Sequence, residues 1–168
     1  SGTHTVGGIA GEFGGTIIDN VSFNGTAIGT YVDEDTSVGG LVGYIHFSEI
    51  NNSFAIVNIT GINKIGGLAG RFQNSLLKNS YARGYINGNN DVGGVIGYIF
   101  SSSNNDQNID ASFFIGDVYG ENNVGGFVGS ITGTGSKIIN NSYAQAIVNG
   151  SNVVWGFVGN VGSYLNKI

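Results

Sequence analysis

Val38-Gly39-Gly40-Leu41-Val42-Gly43 is a stretch that this chain repeats. The pattern begins again at Val6 (VGGIAG), Ile65 (IGGLAG), Val92 (VGGVIG) and Val124 (VGGFVG); a sixth copy at Val154 reads VWGFVG, with Trp155 replacing the first glycine. Successive copies start 32, 27, 27, 32 and 30 residues apart. A second element lies between them: Asn52-Ser53-Phe54-Ala55, Asn79-Ser80-Tyr81-Ala82, Ala111-Ser112-Phe113-Phe114 and Asn141-Ser142-Tyr143-Ala144, with Val21-Ser22-Phe23 as a weaker first copy. A third closes each unit as Gly-x-Asn-x-Val/Ile, at Gly61/Asn63/Ile65, Gly88/Asn90/Val92, Gly120/Asn122/Val124 and Gly150/Asn152/Val154. Three motifs in a fixed order at this period are the signature of a solenoid.

After the serine, alternate positions are apolar or small (Ala82, Gly84, Ile86; Ala144, Ala146, Val148) and those between them are mostly polar or tolerant (Arg83, Tyr85, Asn87; Gln145, Ile147, Asn149). That period of two is a strand with one face buried. A helix would lose about 1 kcal/mol at each glycine. Each unit reads as strand, variable loop, strand, short kink, strand and asparagine corner. Such a unit cannot bury its own apolar face, so units stack, each strand pairing with its equivalent about 4.8 Å away. The expectation is an all-β, three-sided β-solenoid of the parallel β-helix kind, a single domain over residues 1–168. It has five to six coils of 27–32 residues, starting near Val6, Val38, Ile65, Val92, Val124 and Val154. Stacking places equivalent residues above one another. Asn63, Asn90, Asn122 and Asn152 become an amide ladder and Phe54, Tyr81, Phe113 and Tyr143 an aromatic stack, stabilising corners and core.

Composition agrees. Glycine is abundant, at 31 residues, without proline or a Gly-X-Y period, which rules out collagen. The 40% of apolar residues argues against disorder. The net charge is −5 and the six basic residues are scattered, so the concentrated basic field that nucleic acid requires is absent. No apolar run reaches the roughly 18 to 20 residues of a membrane-spanning helix. The lack of cysteine fits a secreted or surface protein that does without disulfides.

Chemistry is hard to find in the side chains. His4 and His46 are the only histidines, and neither belongs to an H-E-x-x-H pair. His4 aligns with the corner asparagine of later units, and His46 falls in a variable loop. No G-x-S-x-G elbow and no phosphate loop occurs, so the expectation is a protein that is not an enzyme and needs no cofactor. Asp33, Glu34 and Asp35 cluster in the first inserted loop and Asp106 and Asp110 in the longest. They read as solvated loop residues first, as calcium ligands second and as a glycosidase pair last. Six N-x-S/T sequons begin at Asn20, Asn24, Asn51, Asn58, Asn140 and Asn149, of use only where the source has the glycosylation machinery.

The elements GGLVG (Gly39 to Gly43) and GGLAG (Gly66 to Gly70), together with NSFA and NSYA, resemble the GLUG motif repeat, and the resemblance covers nearly the whole chain. Such repeats occur in large bacterial surface proteins, including adhesins and the non-catalytic parts of some immunoglobulin A-cleaving metallopeptidases. The resemblance implies an extracellular, cell-surface setting and a β-solenoid stalk or adhesive segment, and it carries no catalytic residue. Trp155 and the weak first serine element depart from the pattern, which predicts irregular end coils.

Function is therefore expected away from the glycines. The loop Thr30 to Ser37 extends the first unit, and the stretch before the serine lengthens in the fourth and fifth units. Solenoid insertions emerge on one face, often the binding face. In the glycine strand, regular alternation points Leu41, Leu68, Val95 and Phe127 one way and Val38, Ile65, Val92 and Val124 the other. Either a glycine bulge swings the second set inward, or it is an exposed stripe that forms a lateral interface. Trp155 is then an anchor of such a contact or an end cap. Neither end of the sequence carries a capping segment, as expected of a slice of a longer array or of ends that pair head to tail. The leading reading is an adhesin or stalk that presents its loops to a protein or glycan on another surface. A self-assembling extracellular filament of copies of the chain comes second, and a polysaccharide-active enzyme third.

Overall fold

The computed structural model describes residues 4–102 and 107–162. In the third coil the chain runs through Asn63–Gly66, Ala69–Gln73, Leu76–Lys78 and Tyr81–Asn87. Each strand pairs in parallel with its equivalent one coil before and one coil after. The result is a β-solenoid with four parallel sheets, called A to D here in the order the coil visits them, of six, six, five and five strands. The described residues contain no helix.

The expected three strands per coil are thus joined by a fourth. Sheet C lies where the sequence reads as variable loop: Ile17–Asp19, Glu49–Asn51, Leu76–Lys78, Gln107–Asp110 and Lys137–Asn140. Each of these strands buries one hydrophobic side chain at its centre (Ile18, Ile50, Leu77, Ile109) or, in Lys137–Asn140, at Ile139. Three or four residues are too few to display a period of two.

Both apolar rows of the glycine strand are in the core. Val38, Ile65, Val92 and Val124 are 0% exposed, as are Leu41, Leu68, Val95 and Phe127. The alternative of an exposed lateral stripe is overturned, and glycine is the reason. A Cβ on Gly66 would stand 2.1 Å from the Ala69 carbonyl oxygen, and one on Gly97 would stand 2.4 Å from the backbone nitrogen of Ile65 in the preceding coil. Sheet A can therefore turn sharply into sheet B and lie directly against its backbone, which brings both rows inside.

The corners use the left-handed region. Asn20, Asn52, Asn79, Ala111 and Asn141 all have φ between 48° and 55° just before sheet D, a conformation asparagine tolerates better than most residues. The serine that follows bridges coils. Ser80 Oγ accepts the Ser53 N–H at 3.1 Å and donates to the Lys78 carbonyl at 2.7 Å. Ser53, Ser112 and Ser142 repeat the pattern. The register also shifts the weak first copy by one residue. Asn20 holds the corner, Val21 replaces the serine, Ser22 pairs with Phe54, and Phe23 pairs with Ala55 and packs on the core.

A second set of corners, at the start of sheet A, places Lys64, Asp91, Asn123 and Val153 at φ between 50° and 52°. For a β-branched residue this is a strained conformation, and Val153 is 49% exposed, so its side chain returns little by burial. Val153→Asn is expected to raise stability by about 1 kcal/mol, read as a higher urea midpoint. A lower midpoint would show that the valine contributes packing that outweighs the strain.

Candidate binding face

The two predicted ladders form. Asn90 donates to Asn63 Oδ1 at 2.8 Å, Asn122 to Asn90 at 2.8 Å and Asn152 to Asn122 at 3.0 Å. Phe54, Tyr81, Phe113 and Tyr143 stack with ring centroids 4.7 to 5.0 Å apart and planes within 4° of parallel. The rings are not core, however. They stand on the outer face of sheet D, half-buried except for the exposed Tyr143. Their faces are occupied by one another, so the column turns ring edges to solvent and offers no flat platform along its length.

The carboxylates singled out from the sequence do not assemble. Asp106 lies outside the described residues. Asp110, on sheet C, accepts a hydrogen bond from Asn141 Nδ2 at 2.8 Å. Asp33 Oδ1 accepts from the Asp35 N–H, while Asp35 itself faces cations, 3.6 Å from Lys64 Nζ and 3.6 Å from Arg71 Nη1. Among the described residues no group of three or more His, Asp or Glu side chains converges as metal ligands would.

What the insertions frame is the outer face of sheets A and B. The loop from Thr30 to Ser37 lies at the corner from sheet D to sheet A, and the two lengthened stretches lie at the corner from B to C. At the latter, the column occupied by Ser48 and Ser75 continues as Gln107 and Lys137. Both are buried; Gln107 reaches back to the Phe100 carbonyl and Lys137 to the Gly133 carbonyl, each in the preceding strand of sheet B. Burial pushes the Lys137 ammonium below its ordinary pKa.

Between these corners the residues after the final motif glycines, Glu12, Tyr44, Arg71, Tyr98, Ser130 and Asn160, form one outer column of sheet B, in which Ser130 alone is buried. His46 and Gln73 stand in the next. They make two polar clusters that meet where the Tyr44 and His46 rings lie 5.0 Å apart. His46 Nε2 is 3.2 Å from Glu12, the Tyr44 hydroxyl donates to Gln73 Oε1 at 2.7 Å, and Arg71 donates to the same oxygen at 3.2 Å while lying 4.7 Å over the Tyr44 ring. Burial raises the Tyr44 phenol above its usual pKa, against the pull of Arg71, which keeps it a neutral donor. Lys64 of sheet A sits 5.7 Å over the Tyr98 ring, whose hydroxyl is 2.6 Å from Thr132 Oγ1. In a chain with 10% charged residues, this concentration of ionic and aromatic groups marks the face out.

Asp91, beside Lys64, is held above the usual carboxylate range by burial, opposed by the Asn123 amide that donates to it at 2.8 Å and by the Lys64 charge. An acid whose folded pKa is raised costs stability when ionised, and that cost disappears as the pH falls through the folded value. Asp91→Asn should therefore be more stable than the parent at pH 7, and the gap should close as the pH is lowered through the titration of Asp91. Thermal melts across that range test the sign; a gap that widens on acidification would refute it.

Comparison with protein-family models, with curated proteins and with solved structures finds no match. No helix among the described residues is long and apolar enough to cross a membrane.

Proposed function

We propose that this chain is a non-catalytic segment of a bacterial cell-surface protein, an adhesin or stalk that meets its partner through the outer face of sheets A and B. The observation that carries the reading is the placement of both insertion sites at the two edges of the face that holds the Glu12–His46–Tyr44–Gln73–Arg71–Asp35–Lys64–Tyr98 network. Tyrosine and arginine are the residue types that anchor protein interfaces, and tyrosine with amides and carboxylates also suits sugar hydroxyls. The motif resemblance to GLUG repeats supplies the extracellular setting.

Head-to-tail filament growth is the less favoured reading because of one residue. Trp155 pairs with Gly125 in the column that holds glycine in the earlier coils. A Cβ on Gly125 would stand 2.6 Å from the Gly159 nitrogen of the next coil. An indole at the equivalent place would hold a further coil off sheets A and B.

The test is surface labelling with adhesion blocking. Antibodies raised to the chain should label intact cells of the source organism, and the soluble chain should compete for their attachment. Labelling only after permeabilisation sinks the proposal. Long rods by negative stain would favour the filament instead.

A further inference from the structure

Asp35 is an internal ligand. Its carboxylate bridges Lys64 and Arg71, which come from sheets A and B and are largely covered, at 12% and 22% side-chain exposure, while the Asp35 side chain is 59% exposed. The cations are thus the fixed half of the contact and the carboxylate the removable half. Residues 30–35 that carry it are exposed throughout, with Tyr31 and Val32 at 57% and 78%. The strap is held by few attachments: Tyr31 stacked on His4 at 3.8 Å, Asn63 donating to the Asp33 carbonyl at 2.9 Å, and Lys64 donating to the Glu34 carbonyl. An exposed ion pair contributes about 0 to 1 kcal/mol, so a competing carboxylate can displace it at little cost. The strap also carries Asp33 and Glu34 away when it lifts, which removes Glu34 from the wall of the neighbouring groove and leaves Asp91 beside Lys64.

Next to this pair lies a groove of about 420 Å³ lined by Glu34, Asn63, Lys64, Asn90, Asp91 and Tyr98. Its size is within the range of small-ligand sites. Its lining is amide, carboxylate and ammonium, with the Tyr98 ring as the one broad apolar surface. Amides, a carboxylate and an ammonium are partners suited to the hydroxyls of a pyranose.

We propose that this groove is a subsite for a uronic-acid residue of an acidic polysaccharide, with Asp35 standing in for the sugar carboxylate until the strap is displaced. The assignment rests on the adhesive reading above and names its ligand class. In the bound state the sugar carboxylate takes the place of Asp35 between Lys64 and Arg71, and the ring hydroxyls meet Asn63, Asn90 and Asp91.

Titration calorimetry with oligogalacturonate, its carboxyl-reduced neutral counterpart and a polyglutamate peptide tests this directly. The parent should bind oligogalacturonate weakly, and Asp35→Asn should bind it about fivefold more tightly. Adding Lys64→Gln to Asp35→Asn should abolish that gain with an unchanged far-UV spectrum. The neutral oligosaccharide should gain nothing from Asp35→Asn. Equal affinity of parent and Asp35→Asn, or equal gain for the neutral sugar, overturns the proposal; polyglutamate binding as tightly as the sugar overturns the sugar assignment. Adhesion that persists with the Lys64 variant would leave the adhesive reading standing while this one fails.

Discussion

Gly67→Ala is expected to lower the urea midpoint sharply, while Gly156→Ala should leave the urea transition where it is. The two residues hold the same place in their coils. A Cβ on Gly67 would stand 2.1 Å from the Gly94 carbonyl oxygen of the next coil and 2.6 Å from the Ala82 Cβ on sheet D; a Cβ on Gly156 would meet no atom of the described residues within 4 Å. The obstacle at Gly67 is backbone in a stacked coil, which cannot rotate away as a side chain would. Relieving it means widening the coil spacing and breaking the ladders of sheets A and B together. Overpacking of ordinary cores costs about 1 to 3 kcal/mol, and here the strain falls on hydrogen bonds as well, so about 3 kcal/mol or more is expected against a typical total of about 5 to 15. Matching urea midpoints for the two variants would mean that the stack tolerates separation, and would undercut the account of why the glycines are there.

Ser80→Ala should cost more than Asn90→Ala, although Asn90 belongs to the more conspicuous ladder. Ser80 is 1% exposed, and its hydroxyl is the partner of the Ser53 N–H and of the Lys78 carbonyl. Removing it leaves the Ser53 N–H without a partner where water does not reach, about 1 to 3 kcal/mol, while the Lys78 carbonyl keeps the Asn52 N–H at 3.2 Å. Asn90 also makes two bonds, to Asn63 and Asn122, but it is only half-buried, and water can replace them for about 1 kcal/mol. Chemical denaturation of both variants decides the order. The reverse ranking would mean that the corner amides, rather than the serines, tie the coils together.

These cases bear on what the linear order of residues discloses. The coil, its stacking and the asparagine ladder were legible because each is a repeat of identity. The serine was legible as a motif but not as a bridge, since nothing in one copy says that its hydroxyl serves the copy before. Sheet C was hidden by its length: Leu76–Lys78 buries a single residue at its centre, which no periodicity can expose. The first coil was misaligned by one residue because Ser22 imitates a motif serine, while the left-handed corner at Asn20 sets the true register.

The candidate binding face was the least legible part. Tyr44, Arg71 and Tyr98 share an offset from a motif glycine, and that offset could have been read down the copies. Their residue types differ, so the column looks like tolerated variation until the register makes it one surface. Asp35 was noticed for its charge and its acidic neighbours. Its partners, Lys64 and Arg71, are remote in the chain and meet it only because an inserted loop reaches over the coil that follows.

The parallel pairing of every coil with the next has a mechanical consequence. Backbone hydrogen bonds between coils run along the axis of the rod, so tension applied end to end pulls on them lengthwise and loads one interface at a time instead of shearing many together. A terminal coil can peel while the rest stays wound, and each one released pays out 27 to 32 residues, roughly 90 to 115 Å of extended chain. A solenoid built this way lengthens in steps under load and rewinds onto an intact template, which in the proposed stalk role would make it a shock absorber.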